Sequence, residues 1–312
     1  MRRSPSDGRR KIHAMAASTT EPRPVLAQLR AGDEVDGVFA CTRKDRLTAR
    51  SGTMYLAIEL RDQSQALPAR AFRDADFLAG QFERGDLVRV LGRVERFRDE
   101  LQLELREIRR ADPGEADPAD FLPVAYRDLD ELDGFLEHLA REVHDTDLRR
   151  LLASFLDDQS FRRELRRAPC TRAGHHAYLG GLLEHTVAVA TLALETCTLH
   201  PRLDSDLLIC AALLHDIGKL REFDLGADIE LSEEGRLVGH VALGQAMIAE
   251  RLASIEGFPR ARELALTHCV LTHHGPDGVS GRRFGSVEAL ALQRLNSLET
   301  GVKGALEHGL AS

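Results

Sequence analysis

The chain has 312 residues, of which 43% are hydrophobic and 29% are charged, and its formal net charge at pH 7 is −8. This length exceeds that of one small module, and the apolar content suffices for two packed cores, so we expect an ordinary soluble protein with two domains. The five cysteines form an odd set with no close-spaced pair, which argues against a disulfide framework and against a cysteine zinc site.

The same features predict a compartment. No window approaches the roughly 20 consecutive apolar residues of a membrane span. The basic N-terminal residues are not followed by the apolar core of a signal peptide. Because unpaired cysteines are typical of reducing compartments, we expect a cytoplasmic protein without a membrane partner.

Charge is divided unevenly along the chain. Residues 1–110 carry 22 Lys and Arg against 17 Asp and Glu, a balance of +5, whereas residues 111–312 carry 20 against 33, a balance of −13. A mildly basic part could contact nucleic-acid phosphates, and an acidic part suits cations. Both balances are equally compatible with an ordinary solvated surface.

The first part of the chain changes pattern near residue 25. Residues 1–24 are rich in Arg, Ser, Thr and Pro without an apolar period, which predicts a disordered lead-in. Residues 25–110 form short alternating runs, and in one of them Met54, Leu56, Ile58 and Leu60 share a face. Similar runs at 86–97 and 101–108 are separated by a turn. We predict about five strands and one short helix, closed into a small all-β barrel of the OB type.

The outward face of this barrel offers contacts for a nucleic acid. Tyr55, Phe72, Arg61 and Arg70 could stack on bases and contact phosphates of single-stranded RNA or DNA. The alternative interpretation is that Phe72 belongs to the core and that the arginines are solvated surface.

A second domain follows a linker. Residues 111–127 contain three prolines and several acidic residues, which is typical of a linker. Residues 128–312 then show apolar residues at three- and four-residue steps, which predicts an all-helical domain. The clearest helical patterns lie at residues 129–143, 147–156, 177–197, 204–217, 239–255 and 260–274.

Histidines gather at the ends of four predicted helices. A single helix-end histidine is usually structural, but imidazole and carboxylate together suit a first-row divalent ion such as Mn, Fe, Ni or Zn. Gly218 would permit a turn that brings Lys219 back over such a site. The candidate metal ligands are His185, His215, Asp216, His240, His273 and His274.

These residues lie in motifs that resemble a known family. The segments "HHAYLGGLLEHT" (175–186), "LLHDIGK" (213–219), "LVGH" (237–240) and "LTHCVLTHHG" (266–275) are similar to those of HD-domain metal phosphohydrolases. Preceded by a small barrel, they resemble more narrowly the YhaM-type 3'-5' exoribonucleases, over residues 25–303. The resemblance implies one or two divalent ions, usually manganese, and hydrolysis of single-stranded RNA from its 3' end to 5' nucleotides.

The resemblance also suggests roles for individual residues. His185, His215 and Asp216 would hold the principal ion, and His240, His273 and His274 a second one. Lys219 would bind a nonbridging phosphate oxygen, while the metal ion would lower the pKa of bound water. The side chains of Arg172, His175 and His176 could grip the substrate, or that loop could be packed by its own side chains.

One position departs from the family pattern. The family places a ligand aspartate in a segment where this chain reads "QRLNSLET" (293–300), so that Asn296 stands in its place and Glu299 lies one helical turn further on. An amide oxygen carries no charge, and metal affinity should fall. Two alternative functions therefore stay open, namely an HD phosphohydrolase of free or cyclic nucleotides, and a catalytically weakened nucleic-acid-binding protein. A homo-oligomer is compatible with either.

Overall fold

Five strands close into a barrel in the N-terminal part of the chain. The computed structural model describes residues 24–49 and 51–310, so the predicted lead-in lies outside it except for Pro24. The spatial strand order is β1-β2-β3-β5-β4, with β3 and β5 parallel and the other pairs antiparallel. The strands are β1 (Glu34–Thr48), β2 (Met54–Arg61), β3 (Ala66–Ala71), β4 (Leu87–Phe97) and β5 (Glu100–Arg110), and helix α1 spans Ala75–Ala79. The predicted barrel is confirmed.

Alternation along the strands produces the barrel core. In β2, Leu56, Ile58 and Leu60 point inward and are buried, as the sequence predicts. Met54 belongs to the same pattern but is 46% exposed, because it pairs with Thr48 at the outer end of the β1–β2 hairpin.

The linker is packed between the two domains. It contains a short 3-10 helix, Pro118–Phe121. Phe121 is buried with Val38 and Ala40 of the barrel and with Ala227 of the second domain. The carboxylate of Glu115 in the linker pairs with Arg89 on the barrel at 2.7 Å. The proline-rich segment is therefore fixed against both domains.

The second domain is built almost entirely of helices. Its helices are α2 (Leu129–Arg141), α3 (Thr146–Leu156), α4 (Gln159–Arg167), α5 (Gly181–Leu199), α6 (Ser205–Leu214), α7 (Lys219–Glu222), α8 (Glu233–Leu237), α9 (His240–Ala253), α10 (Arg260–Thr272) and α11 (Val287–His308). A two-stranded hairpin, β6 (Phe223–Leu225) and β7 (Ile229–Leu231), follows α7. The expectation of a purely helical domain was wrong in this detail, because three-residue strands are too short for a periodic signal.

Helix α5 passes through the centre of this domain. By length and composition, it is the helix among the described residues that could cross a membrane, a possibility that the sequence analysis did not register. Its most apolar window is 56% buried in the fold, and Leu183, Val189 and Ala190 are wholly enclosed. Its apolar composition is therefore that of a core helix, and other helices of the domain pack around it.

Candidate metal centre

Four helices deliver imidazoles to one place. His185 lies in the second turn of α5, while His215 and Asp216 directly follow α6. His240 is the first residue of α9, and His273 with His274 directly follows α10. Because the backbone leaves helical geometry at these ends, neighbouring side chains can point into the same cavity.

Asp216 lies at the middle of the cluster. Its Oδ2 atom is 3.4 Å from the Nε2 atoms of both His185 and His215. Its Oδ1 atom is 3.4 Å from Nε2 of His240 and 3.3 Å from Nε2 of His273. His274 completes the second group, with its Nε2 2.9 Å from Nε2 of His240. The two predicted sets of ligands thus lie together, and Asp216 is shared between them.

Hydrogen bonds fix the orientation of the imidazoles. Nδ1 of His215 lies 2.8 Å from the carbonyl oxygen of Ala212, and Nδ1 of His273 lies 2.6 Å from that of Val270. A carbonyl oxygen only accepts, so each Nδ1 carries the hydrogen and each Nε2 offers a lone pair. This is the tautomer that a metal ligand needs.

Two carboxylates act on the other rings. Nδ1 of His185 donates to Glu299 at 2.6 Å, and Nδ1 of His240 donates to Glu222 at 2.9 Å. The sequence analysis assigned neither carboxylate a role in orienting a histidine. Glu222 gave no signal, because its contact joins α7 to α9 across 18 residues. Glu299 was considered only as a substitute for the missing ligand aspartate, one helical turn too far along; the structure shows that it orients His185 instead.

The residues fit a divalent cation. Nε2 of His273 and Oδ1 of Asp216 are buried and lack a hydrogen-bond partner within the described part of the chain. Nε2 of His185 and Nε2 of His215 face each other at 3.2 Å. Buried polar atoms are rarely left unpaired, and a cation among these atoms would satisfy them together.

The close packing of charged side chains shifts the pKa values of Asp216 and His185. Burial alone would raise the pKa of Asp216, but the Lys219 ammonium and the nearby imidazoles outweigh it and hold that pKa well below its usual range. Burial opposes a charge on His185, yet the surrounding groups, the Asp216 and Glu299 carboxylates among them, raise its pKa to about 10. His185 is therefore protonated at neutral pH, and the proton between its Nε2 atom and that of His215 occupies the place of a cation. Metal binding then releases this proton.

Lys219 lies over the cluster, as predicted. Its ammonium is 2.7 Å from Oδ2 of Asp216 and donates to Sγ of Cys170 at 3.3 Å. The role of Gly218 was interpreted incorrectly, because its φ of −62° is open to any residue. A Cβ at this position would instead lie 2.0 Å from the carbonyl oxygen of His240. Glycine is needed there so that α9 can bring His240 close to Asp216.

Asn296 reaches the same site from α11. Its side chain is 3% exposed, and Nδ2 donates to the carbonyl oxygen of His273 at 3.5 Å. Its Oδ1 atom is buried without a hydrogen-bond partner in the described residues. This placement fits the alignment made from sequence, and ligation by Asn296 stays a prediction.

The segment before α5 only partly matches its predicted role. His176 is 1% exposed, with Nε2 2.8 Å from Glu299 and Nδ1 2.8 Å from the hydroxyl of Tyr178. The prediction that it grips the substrate was wrong, because both ring nitrogens are engaged inside the protein. Arg172 is exposed and His175 partly so, and their contact with substrate stays a prediction.

Most of the predicted barrel contacts lie together. The rings of Tyr55 and Phe72 stack with centroids 5.2 Å apart, and Phe72 is 45% exposed and does not belong to the core. The Arg70 guanidinium lies 5.8 Å from the ring of Tyr55 and 5.1 Å from that of Phe97, a residue that the sequence analysis missed. We call Tyr55, Arg70, Phe72 and Phe97 the aromatic patch.

Arg61 does not belong to this patch. Its guanidinium donates to the carbonyl oxygen of Ala227 and pairs with Asp228 at 2.8 Å, in the turn between β6 and β7. The prediction that it contacts phosphates was wrong, because its charge is used between the domains. Strand alternation places a side chain on the outer face but cannot reveal what covers that face.

Comparison with known proteins agrees with both halves of the fold. Family models described as OB-fold nucleic acid binding domain and HD domain match residues 40–111 and 182–300. The second OB-fold domain of replication protein A from Methanococcus maripaludis aligns over 29% of this chain and 96% of that chain, at 14% identity. The TM-score of that alignment is 0.25, which supports no conclusion about this chain.

Curated relatives cover both domains together. Proteins named 3'-5' exoribonuclease YhaM are 29% identical over 252 residues in Oceanobacillus iheyensis and over 247 residues in Bacillus velezensis. These alignments cover 78% of this chain in both cases, and 76% and 77% of the relatives. The Listeria innocua protein of the same name is 27% identical over 80% of this chain and 79% of its own length. The chain therefore consists of an OB-fold domain followed by an HD domain and is a relative of the YhaM 3'-5' exoribonucleases.

Proposed function

We propose that this protein is a metal-dependent 3'-5' exoribonuclease that hydrolyses single-stranded RNA to 5' nucleotides. The observation that carries the proposal is the position of Asp216, whose two oxygens each face a different group of imidazoles. A carboxylate shared in this way suits two neighbouring divalent ions, an arrangement used to hydrolyse phosphodiesters. The barrel and the curated relatives support a polymeric nucleic acid as the substrate.

The residues of the centre divide the work among them. A bound divalent ion supplies hydroxide near neutral pH and neutralises charge on the phosphate. Glu299 and Glu222 hold His185 and His240 in the ligand tautomer. Lys219 balances the charge of Asp216 and lies close enough to bind a nonbridging phosphate oxygen.

The substrate enters from the side of the second histidine group. His274 is exposed and the side chain of His240 is 17% exposed, whereas His185, His215 and Asp216 are almost completely buried. The phosphate at the 3' end would reach Asp216 past these two more open imidazoles. The aromatic patch on the barrel would hold nucleotides further from that end by stacking.

Manganese is the ion that we propose for this centre. Imidazole and carboxylate ligands accept several first-row ions, so the choice among them rests on the resemblance to YhaM-type enzymes. Among the described residues, Asp216 is the one carboxylate in the two ligand groups of this centre, and the amide of Asn296 adds no charge. We therefore expect weak binding, with activity that depends on free manganese in solution.

The remaining parts of the proposal concern the nucleic acid and the compartment. The names of the curated relatives support RNA as the main substrate. Because stacking on aromatic faces is largely independent of base identity, we propose single-stranded DNA as a second substrate. Five free, buried cysteines support a reducing cytoplasm. A homo-oligomer stays a prediction.

The test is turnover of a 5'-labelled single-stranded RNA with manganese or with chelator. We expect a manganese-dependent ladder that shortens from the 3' end and is absent in Asp216→Ala. This variant should keep barrel-mediated RNA binding, because Asp216 lies in the other domain. Normal turnover by Asp216→Ala would contradict the metal assignment.

A second candidate function rests on Asn296. Its unpaired, buried Oδ1 atom stands where the family has a charged ligand, which favours a nucleic-acid-binding protein with weakened catalysis. RNA that is bound but remains intact with manganese present would support this candidate over the first. Hydrolysis of free or cyclic nucleotides, without competition by RNA, would instead indicate a nucleotide phosphohydrolase.

A further inference from the structure

A thiol lies beside the proposed catalytic centre. Cys170 is buried just before the segment that leads into α5, and its Sγ atom is 3.9 Å from Nε2 of His175. One ligand atom each from Cys170, His175 and His185 lies within 4.8 Å of the other two. The Asp216 centre needs neither the thiol nor His175, so this group requires a separate explanation.

The separation of Cys170 and His175 is close to that of two ligands on a tetrahedral metal ion. With zinc bonds of about 2.3 Å to sulphur and 2.0–2.1 Å to nitrogen, two ligands at a tetrahedral angle are about 3.6 Å apart. The observed separation of 3.9 Å between Cys170 and His175 requires only a small adjustment. A thiolate with two imidazoles selects zinc over manganese, because manganese prefers oxygen ligands.

We propose that Cys170, His175 and His185 form a zinc site that shares His185 with the manganese centre and competes with it. Zinc would replace the proton of the Cys170 thiol, which leaves to solvent, and would displace the Lys219 ammonium from the sulphur. Three protein ligands leave a fourth position for water. The site combines one cysteine with two histidines, and no pairing of cysteines is needed.

Competition follows from the double use of His185. Its Nδ1 atom donates to Glu299, and its Nε2 atom faces His215 and Asp216. A ring nitrogen has one lone pair, so whichever nitrogen binds zinc is lost to its present partner. Zinc in this site therefore removes or misorients a ligand of the Asp216 centre. This inhibitory consequence rests on the proposed function, whereas the existence of the site does not.

Cobalt provides a direct readout of the site in the intact protein. Co²⁺ occupies zinc sites, and thiolate ligation gives it an intense charge-transfer absorption in the near ultraviolet. We expect this band when Co²⁺ is added to the reduced wild-type protein and no such band in Cys170→Ser. The matched control is Cys197→Ser, another buried cysteine, which lies about 18 Å further along α5 from His185 and should keep the band.

A second variant separates ligation from folding. His175→Ala leaves the thiol in place and removes one imidazole at a partly exposed position, so we expect the band to require at least about tenfold more Co²⁺. A wild-type protein without the band would overturn the proposal. A band that persists in Cys170→Ser, or an unchanged titration in His175→Ala, would overturn it as well.

The inhibitory consequence is tested by turnover. We expect zinc to inhibit manganese-supported hydrolysis, with half-inhibition of Cys170→Ser at a zinc concentration at least about tenfold higher than for wild type. Each variant is compared with its own zinc-free rate. Equal zinc sensitivity of the two proteins would refute the competition. If no hydrolysis is detected at all, the exonuclease proposal fails while the cobalt band still decides whether the site exists.

Discussion

The Glu299 carboxylate accepts a hydrogen bond from Nδ1 of His185 at 2.6 Å and another from Nε2 of His176 at 2.8 Å. Burial opposes the charge of this carboxylate, but the two imidazoles outweigh burial and lower the pKa of Glu299 to about 2. Glu299 is therefore ionised at neutral pH and fixes the proton of His185 on Nδ1. Removal of its charge should weaken the metal centre without removing any ligand.

Glu299→Gln should lower the affinity for manganese by about 10- to 100-fold, as is typical when the partner of a metal-bound histidine is changed. Isothermal titration of the chelator-treated protein with manganese measures this loss. Glu195→Gln, at an exposed position on α5, is the matched control and should bind manganese normally. Equal affinities in the two variants would exclude the positioning role of Glu299.

Asn296→Asp should strengthen metal binding. The buried Oδ1 atom of Asn296 has no hydrogen-bond partner in the described residues. A carboxylate at the same position would add a second negative charge to that of Asp216. We expect manganese affinity to increase by about tenfold or more, which corresponds to about 1.4 kcal/mol. The same titration measures the gain. Unchanged affinity would mean that position 296 does not face the ion.

Lys219→Ala should slow hydrolysis while the protein still binds manganese. The ammonium pairs with Asp216 and supplies no ligand atom, so its loss leaves the ligand set complete. If Lys219 stabilises charge that develops on the phosphate, kcat should fall by about 100-fold or more. Single-turnover hydrolysis and metal titration, performed on the same protein, separate the two effects. A loss of manganese binding equal to the loss of rate would assign Lys219 a structural role.

The aromatic patch should contribute most of the stacking energy for RNA. Phe72→Ala removes an exposed ring that stacks on Tyr55, and Phe97→Ala removes an exposed ring next to Arg70. Each should weaken binding by about 1–3 kcal/mol. Fluorescence anisotropy with a labelled single strand measures the effect. Phe77→Ala, which removes a ring that is 68% exposed on α1, serves as the control and should bind normally. Losses of the same size in all three variants would place the RNA elsewhere.

The linker contact should depend on pH through Glu115. Burial alone would raise its pKa, but the amide of Asp112 and the guanidinium groups of Arg89 and Arg109 lower the pKa to about 2 from an ordinary 4.5. A depressed pKa means that the stabilisation is fully present above about pH 4.5 and is lost as the pH falls toward 2.

Glu115→Gln should therefore lower the free energy of unfolding at pH 7, by at most about 1 kcal/mol for a pair open to solvent. The difference from wild type should shrink at about pH 3, where part of the wild-type carboxylate is protonated. Urea unfolding at the two pH values measures the change. A difference that stays constant with pH would mean that the Glu115 charge does not stabilise the linker.

The sequence predicted those features that depend on local pattern. Strand alternation revealed the barrel, and histidines at helix ends indicated the side chains that the fold gathers around Asp216, because periodicity and helix termination are local properties. It could not predict partners that the fold brings from far along the chain. Arg61 meets Asp228 across 167 residues, and His185 meets Glu299 across 114. The predicted substrate contact of His176 was wrong for the same reason, since no residue near it in sequence indicates that α11 covers it.

The contact between Arg61 and the β6–β7 turn also bears on the length of nucleic acid that the protein can hold. Arg61 belongs to the barrel strand β2, and the hairpin that it grips directly follows the short helix α7 that carries Lys219. Phe121 of the linker packs between the barrel and Ala227 of the same turn. The span between the aromatic patch and Asp216 is thus set by the fold. If RNA binds as proposed, the shortest strand that contacts both places at once has a fixed number of nucleotides, and a shorter fragment that reaches Asp216 no longer contacts the aromatic patch.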